Sequence, residues 1–347
     1  MKKIVKQAVG IDVAQKELVV SLGRMHDDWT LEVFAHKTFR NTEKGFNSLV
    51  IWVKKLNQAE VTVRYVMEAT GVYHERLAYF LEEKNYELTI VLPNKISSFM
   101  KTLDLKTITD KTASEAIARF GLERKLENWK RPPVIFKKLK QLTRERDQIL
   151  QDRTGTKNQL HAEKSEAEPN TSSISRMKKR ILVLTTQEKE IKAEIVELLR
   201  QDKQLEKSVE LLCSLPGVAH LTAVTVLGET NAFELIRNKR QLTSYAGLDV
   251  KEKLSGTSVK GKPRISKRGN RYLRKALYFP ALAAIRTDNR FKSIFVRLVS
   301  KHGLKLKAAV AVQRKLLEMM YTLFKNNKPY DENYLQIENQ EKSVALN

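Results

Sequence analysis

The sequence predicts three regions in series: an α/β domain over 1–134, a helical coiled-coil linker over 135–208 and a mainly α-helical domain over 209–330, followed by a disordered tail over 331–347. Three observations predict it. Short β-rich runs alternate with helical spacing ahead of the Pro132-Pro133 pair, a sustained three- and four-residue apolar repeat follows, and the remainder returns to short amphipathic segments separated by turn residues. A chain of 347 residues with 41% hydrophobic content is long and apolar enough for more than one core.

Residues 5–23, VKQAVGIDVAQKELVVSLG, hold two β-rich runs split by a short polar turn, and LEVFAHKTF (31–39) supplies a third with alternating character. An antiparallel meander is expected. NTEKGFNSLVIWVKKL then switches to helical spacing behind a capping Asn41, VTVRYVME is a buried strand, HERLAYFLEEK an amphipathic helix and YELTIVL another strand. Three strands followed by alternating helix and strand is an α/β domain of ribonuclease-H-like order. Two further helical stretches, about 94–103 and 110–123, precede the double proline.

Beyond it, Ile174, Met177, Ile181, Leu184, Ile191, Ile195 and Leu198 form a heptad seam, with a weaker one at Phe136, Leu139, Leu142 and Ile149. The polar EAEPNTSS around Pro169 reads as a reversal, so an antiparallel helical hairpin is expected, serving as a spacer or an oligomerisation arm. The last domain opens with LLCSLPGVAHLTAVTVLGE, two short helices around a Pro-Gly turn that resembles a helix-hairpin-helix and could offer backbone N–H groups to a phosphate.

The charge balance narrows the function. Sixty-four Lys and Arg against 40 Asp and Glu leave a formal +24, a field that gathers polyanions and makes nucleic acid the expected partner. No apolar run approaches the length of a membrane span, and MKKIVKQAVGIDV passes from lysines straight into a strand pattern, so no membrane partner and a cytoplasmic location are expected. The single cysteine, Cys213, excludes an intramolecular disulfide and argues against a zinc ribbon.

Three acids stand out. Asp12 follows the apolar core of the first strand in AVGIDVAQ, Glu68 ends VTVRYVME, and Asp110 opens the helix DKTASEAIARF. Carboxylates converging at a sheet edge repel one another unless a cation neutralises them, and hard oxygen ligands suit Mg²⁺ or Mn²⁺ and phosphoryl transfer. The competing interpretations are a solvated strand end and, for Asp110, a cap on its own helix.

The second constellation is basic. In 251–275, KEKLSGTSVKGKPRISKRGNRYLRK, ten side chains are Lys or Arg and only Glu252 is acidic. Lys260, Lys262, Arg264, Lys267, Arg268 and Arg271 are the candidate phosphate contacts, and Ser255, Ser258 and Ser266 compete as nucleophiles, with capping or phosphate contact the better role for Ser266. Tyr272 and Tyr278 read as packing or base-stacking residues.

GIDVAQKEL, MEATGVYHERLAYFL, LPNKISSFMKTLDLKTITDKTASEAIARFG, LPGV, SYAGLDV and LSGTSVKGKPRISKRGNRYLRKALY, in that order, resemble the IS110 family of insertion-sequence transposases over nearly the whole chain. The resemblance implies a RuvC-like N-terminal domain with an Asp-Glu-Asp-Asp tetrad, a coiled-coil linker and a C-terminal transposase domain with a nucleophilic serine, acting as a recombinase guided by a bridge RNA that pairs with donor and target DNA. Carried over, the first acids are Asp12, Glu68 and Asp110, and the serine is Ser255. The fourth acid is missing: where the family reads Asp-x-x-Asp-Ala, this chain has Asp110-Lys111-Thr112-Ala113-Ser114, with Glu115 and Asp104 the nearest substitutes. The implied mechanism is attack of Ser255 on a phosphodiester beside Mg²⁺, in a homodimer or homotetramer. The alternatives are a RuvC-like metal-dependent nuclease without a covalent intermediate and an inactive nucleic-acid-binding derivative.

Overall fold

The computed structural model describes residues 2–69, 71–103, 107–234, 236–251, 254–255, 259–261 and 264–331, with the backbone alone at 254, 255, 259 and 260. Asp104, Ser258, Lys262, the side chains of Ser255 and Lys260, and all of the expected tail but Asp331 lie outside the described residues. The chain divides into two units, residues 1–131 and 132–347.

In the first unit, β1 (Ile4–Val13), β2 (Glu17–His26) and β3 (Leu31–Arg40) form the antiparallel meander. Helix α1 (Glu43–Leu56) leads to β4 (Val63–Glu68), α2 (Glu75–Glu83) to β5 (Glu87–Val91), and α3 (Pro93–Met100) and α4 (Asp110–Glu123) complete the unit. The sheet order is β3-β2-β1-β4-β5, with β4 parallel to both β1 and β5. That is the ribonuclease-H-like order expected of the sequence. Alternation sorts the faces: Val9, Ile11 and Val13 point with Tyr65 and Met67 into a core closed by Phe46, Leu49, Leu77 and Leu81 of α1 and α2. Gly10 lies on the opposite face, where α4 packs so closely that a Cβ would overlap the Ser114 carbonyl and the Ala118 nitrogen.

The cap of α1 is a correction. Thr42, one residue after the expected Asn41, has the extended backbone of a cap, and its Oγ1 accepts from Gly45 N at 3.3 Å. Asn41 sits too early to reach the first turn; its amide donates instead to Ala14 O at 2.9 Å and Tyr73 O at 3.2 Å, linking two loops.

The second unit begins with α5 (Val134–Ser165) and α6 (Thr171–Gln201), packed as a hairpin, with Asn170 capping α6 after the reversal. Leu139, Leu142 and Ile149 on α5 share a core with Ile191, Ile195 and Leu198 on α6. Glu188 occupies the seam between Leu184 and Ile191, only 6% exposed, where Arg146 at 2.9 Å, Arg153 at 2.6 Å and Lys192 at 2.9 Å surround it. Burial alone would raise its carboxyl, but the hydrogen bonds from Lys192, Arg153 and Arg146 outweigh that and bring it down to about 2.

Helices α7 (Lys203–Cys213), α8 (His220–Thr230) and α9 (Lys239–Ala246) follow. Short strands β6 (Val250–Lys251), β7 (Leu254–Ser255), β8 (Val259–Lys260) and β9 (Arg264–Ile265) then lead into α10 (Arg271–Thr287), α11 (Asn289–His302) and α12 (Lys305–Asn326). The base of the hairpin shares its core with these helices through Leu212, Val224, Leu227, Leu277 and Leu316. The Leu-Pro-Gly turn packs: Gly217 has φ +80, and a Cβ there would meet the Pro280 carbonyl of α10 at 2.5 Å.

Candidate active site

Backbone register gathers the acids of the first unit. Gly10 pairs with Val66 and Ile11 with Met67 in parallel, so Asp12 and Glu68, each one residue further on, end neighbouring strands on the same face. That is the face on which Gly10 admits α4, and Asp110 is the first residue of α4. The Asp12 carboxyl is raised first by burial and then by the charge of Asp110, so these two acids stand within electrostatic reach. No ion pair neutralises either of them among the described residues.

The cap alternative for Asp110 does not hold. Thr109 caps α4: its Oγ1 accepts from Thr112 N at 3.2 Å while Thr112 Oγ1 accepts from Thr109 N at 2.7 Å. Asp110 is left out of that box. Ala113 occupies the same first turn with no donor atom to offer, and Glu115 lies 3.9 Å from Lys111 in an i,i+4 pair. Sequence inspection missed Ser114, which is fully buried and hydrogen-bonded through Oγ to Ser21 Oγ at 2.7 Å, tying α4 to β2. Its signal was the i+4 spacing from Asp110, which puts it on nearly the same side of the helix.

Among the described residues, no three His, Cys, Asp or Glu side chains form a group that could hold a metal. The backbone brings Asp12, Glu68 and Asp110 to one edge without closing them into a ligand set. Their donor chemistry fits a hard divalent cation: a partly buried carboxylate raised by a second carboxylate gains most from a cation between them.

In the second unit the basic segment is a two-tiered excursion. β6 pairs with β9, and β7 with β8, placing Ser255 opposite Val259. Arg264, Lys267, Arg268 and Arg271 are exposed, as phosphate contacts require. The cap expected of Ser266 is corrected: its Oγ donates to Asp249 Oδ1 at 2.6 Å, and the cap of α10 is Asn270, the residue adjacent to the helix. Tyr272 packs beneath Arg144 and Arg271, whose guanidinium carbons lie 4.4 and 4.9 Å from its ring centre.

An acidic sheet edge on this strand order, in a chain with a separate basic serine-bearing segment, fits a DNA transposase or recombinase, and the family matches show that class. The chain belongs to the IS110 family of transposases: residues 9–163 match the DEDD-type IS110 family described as "Transposase", and residues 209–295 match the "Transposase IS116/IS110/IS902 family". It is 28% identical to the pilin gene-inverting protein of Moraxella lacunata over 94% of this chain and 98% of that protein. It is also 32% identical to the transposase for insertion sequence element IS1111A of Coxiella burnetii, over 34% of this chain and 33% of that protein. T. thermophilus RuvC, solved in complex with a Holliday junction substrate, is similar at 8% identity over 32% of this chain and 90% of that one, with a TM-score of 0.25. Strand order and register define the fold of the first unit. No helix among the described residues is long and apolar enough to cross a membrane.

Proposed function

We propose that this transposase cuts and rejoins DNA through a covalent step at Ser255, with a divalent cation, Mg²⁺ or Mn²⁺, held by Asp12, Glu68 and Asp110. The observation that carries the acidic half is the register placing Asp12 and Glu68 on one face beside the start of α4. When bound, the cation supplies charge stabilisation for a phosphodiester under attack. The chain's own residues do the rest. The Ser255 oxygen forms a bond to phosphorus as the phosphorus–oxygen bond of the DNA strand breaks; the hydroxyl loses its proton and the departing DNA oxygen gains one. Rejoining runs the same exchange backwards, so no high-energy co-substrate is needed. Lys260, Lys262, Arg264, Lys267, Arg268 and Arg271 hold the phosphates around the serine.

The partners in this reading are donor and target DNA, a guide RNA that selects them, and further copies of the chain as a homodimer or homotetramer. The similarity to a gene-inverting protein over nearly full length supports DNA inversion or transposition as the biological outcome. The test is a recombination assay with the native flanking DNA and its transcript, in which Ser255→Ala abolishes denaturant-stable protein–DNA adducts and Asp12→Ala abolishes recombination. Adducts that persist in Ser255→Ala overturn the serine role, and undiminished recombination by Asp12→Ala overturns the metal role.

A further inference from the structure

The excursion that bears Ser255 leaves the helical body at Gly247 and returns at Asn270, and its root is tied across. Asn270 N donates to Tyr245 O at 2.8 Å, Lys267 N donates to Gly247 O at 3.1 Å, and Ser266 holds Asp249 as described. Gly269 is pressed into this root so closely that a Cβ would lie 2.6 Å from Gly247 N.

The root in turn is seated on one side chain. Glu229, in the last turn of α8, has a carboxylate with no exposed surface. Its Oε1 accepts from Arg144 Nε at 2.6 Å, and its Oε2 accepts from Arg144 Nη2 at 2.9 Å and from Asn270 Nδ2 at 2.6 Å. Its main-chain oxygen accepts from the Tyr245 hydroxyl at 2.8 Å. Asn270 therefore faces two ways: its Nδ2 reaches Glu229 while its Oδ1 accepts from Tyr272 N at 2.9 Å and Leu273 N at 3.2 Å, starting α10. Helix α5 grips the same turn a second time, through Arg144 over the Tyr272 ring and an ion pair between Asp147 and Lys275.

Stability alone is a poor explanation for this arrangement. An ion pair with one member fully buried, as Glu229 is against the partly exposed Arg144, need be no more stable than well-packed apolar residues of the same volume, but it fixes the direction and spacing of what it joins. Four segments meet at Glu229: α5, α8, the end of α9 and the start of α10. Three of them are helices packed in the core, and the fourth is where the basic excursion rejoins the body.

We propose that Glu229 is a positioning residue for strand cleavage: through Arg144 and Asn270 it locks the root of the basic excursion onto α5, so that the excursion leaves the body from a fixed base. This rests on the role given to Ser255 above. Misplacement of a reacting group by about 1 Å can cost on the order of a hundredfold in rate without loss of binding, so the signature is a change in rate with unchanged DNA affinity.

The experiment exchanges amide and carboxylate across the contact. Asn270→Asp retains an oxygen to cap α10 but sets a carboxylate against Glu229; Glu229→Gln with Asn270→Asp restores a donor facing an acceptor at that contact, while the new amide gives up the bond from Arg144 Nη2. Each variant of the full chain is assayed for melting temperature, DNA affinity, recombination rate at saturating DNA, and amide hydrogen exchange at 266–270. Asn270→Asp is expected to lower the rate about a hundredfold at unchanged affinity, to speed exchange at the root, and to be partly rescued by the exchanged pair. A wild-type rate and wild-type exchange in Asn270→Asp, or a folded double variant no better than the single, overturns the proposal. Should Asn270→Asp not fold, Glu229→Gln alone must show the same rate loss and faster exchange, or the proposal falls. Ser255→Ala separates the two ideas: adducts surviving in it remove the serine role, while root exchange still judges whether Glu229 seats the excursion.

Discussion

Glu188 and Glu229 in the second unit each face guanidinium groups, whereas Asp12 at the sheet edge of the first unit faces Asp110. The first two are buried acids whose charge the protein itself neutralises. Asp12 is a partly buried acid whose surroundings disfavour its charge on balance, the Val13 backbone hydrogen bond offsetting only part of the effect, and no ion pair among the described residues compensates it. A carboxylate supplied with arginines has its partner already and serves geometry. A carboxylate raised by burial and a neighbouring acid gains when a cation arrives from outside. In the function proposed above, the metal-dependent chemistry belongs to the first unit, and the contrast with the paired acids of the second supports that proposal.

Breaking the compensated side should cost most. Arg144→Ala leaves the Glu229 carboxylate buried without its bidentate partner and should destabilise the protein by about 3 kcal/mol, measured by chemical denaturation; a loss near zero would show that Asn270 and water satisfy Glu229 without the arginine. On the other side, Gly10→Ala drives a methyl group into the backbone of α4 and should cost about 2 kcal/mol and separate Asp110 from Asp12. A variant of wild-type stability and activity would mean that α4 is not held against β1 as described.

Glu188→Gln should cost about 1–2 kcal/mol, because three cations lose their shared negative charge and one of its two acceptor oxygens. Its pH dependence sharpens the point. The carboxyl is lowered from 4.5 to about 2 in the fold, so its stabilisation is complete above 4.5 and is lost as pH falls towards 2. The stability gap between wild type and Glu188→Gln should narrow over that window and stay constant above it. Asp12→Asn should act in the opposite direction and by the least. Since the fold raises the Asp12 carboxyl, its charge opposes folding at neutral pH, and neutralising it should stabilise the metal-free protein, read as a rise in melting temperature. Equal and same-signed shifts from Glu188→Gln and Asp12→Asn would dissolve the comparison.

How much of this the sequence disclosed follows from how local each signal was. The meander and the alternating helices and strands were legible because apolar periodicity is local, and Asp12 and Glu68 were legible because each interrupts an apolar run at its end. Caps were displaced to a better-placed neighbour, from Asn41 to Thr42 and from Ser266 to Asn270, since a cap is set by backbone angles that composition alone does not fix. Glu188 and Glu229 were not legible at all. Each looks like an ordinary helix-surface acid, and the arginines that define them lie far away in the chain: Arg144 is 85 residues from Glu229 and Arg146 is 42 from Glu188. Ser114 was hidden likewise, its partner Ser21 being 93 residues away.

The most direct test of the acidic edge as a cation site is the melting temperature of wild type and Asp12→Asn, each in chelator and in excess Mn²⁺. Mn²⁺ should raise the melting temperature of wild type and leave Asp12→Asn unchanged, reversing the order the two variants show in chelator. A shift of equal size in both proteins, or no shift in wild type, would contradict the assignment.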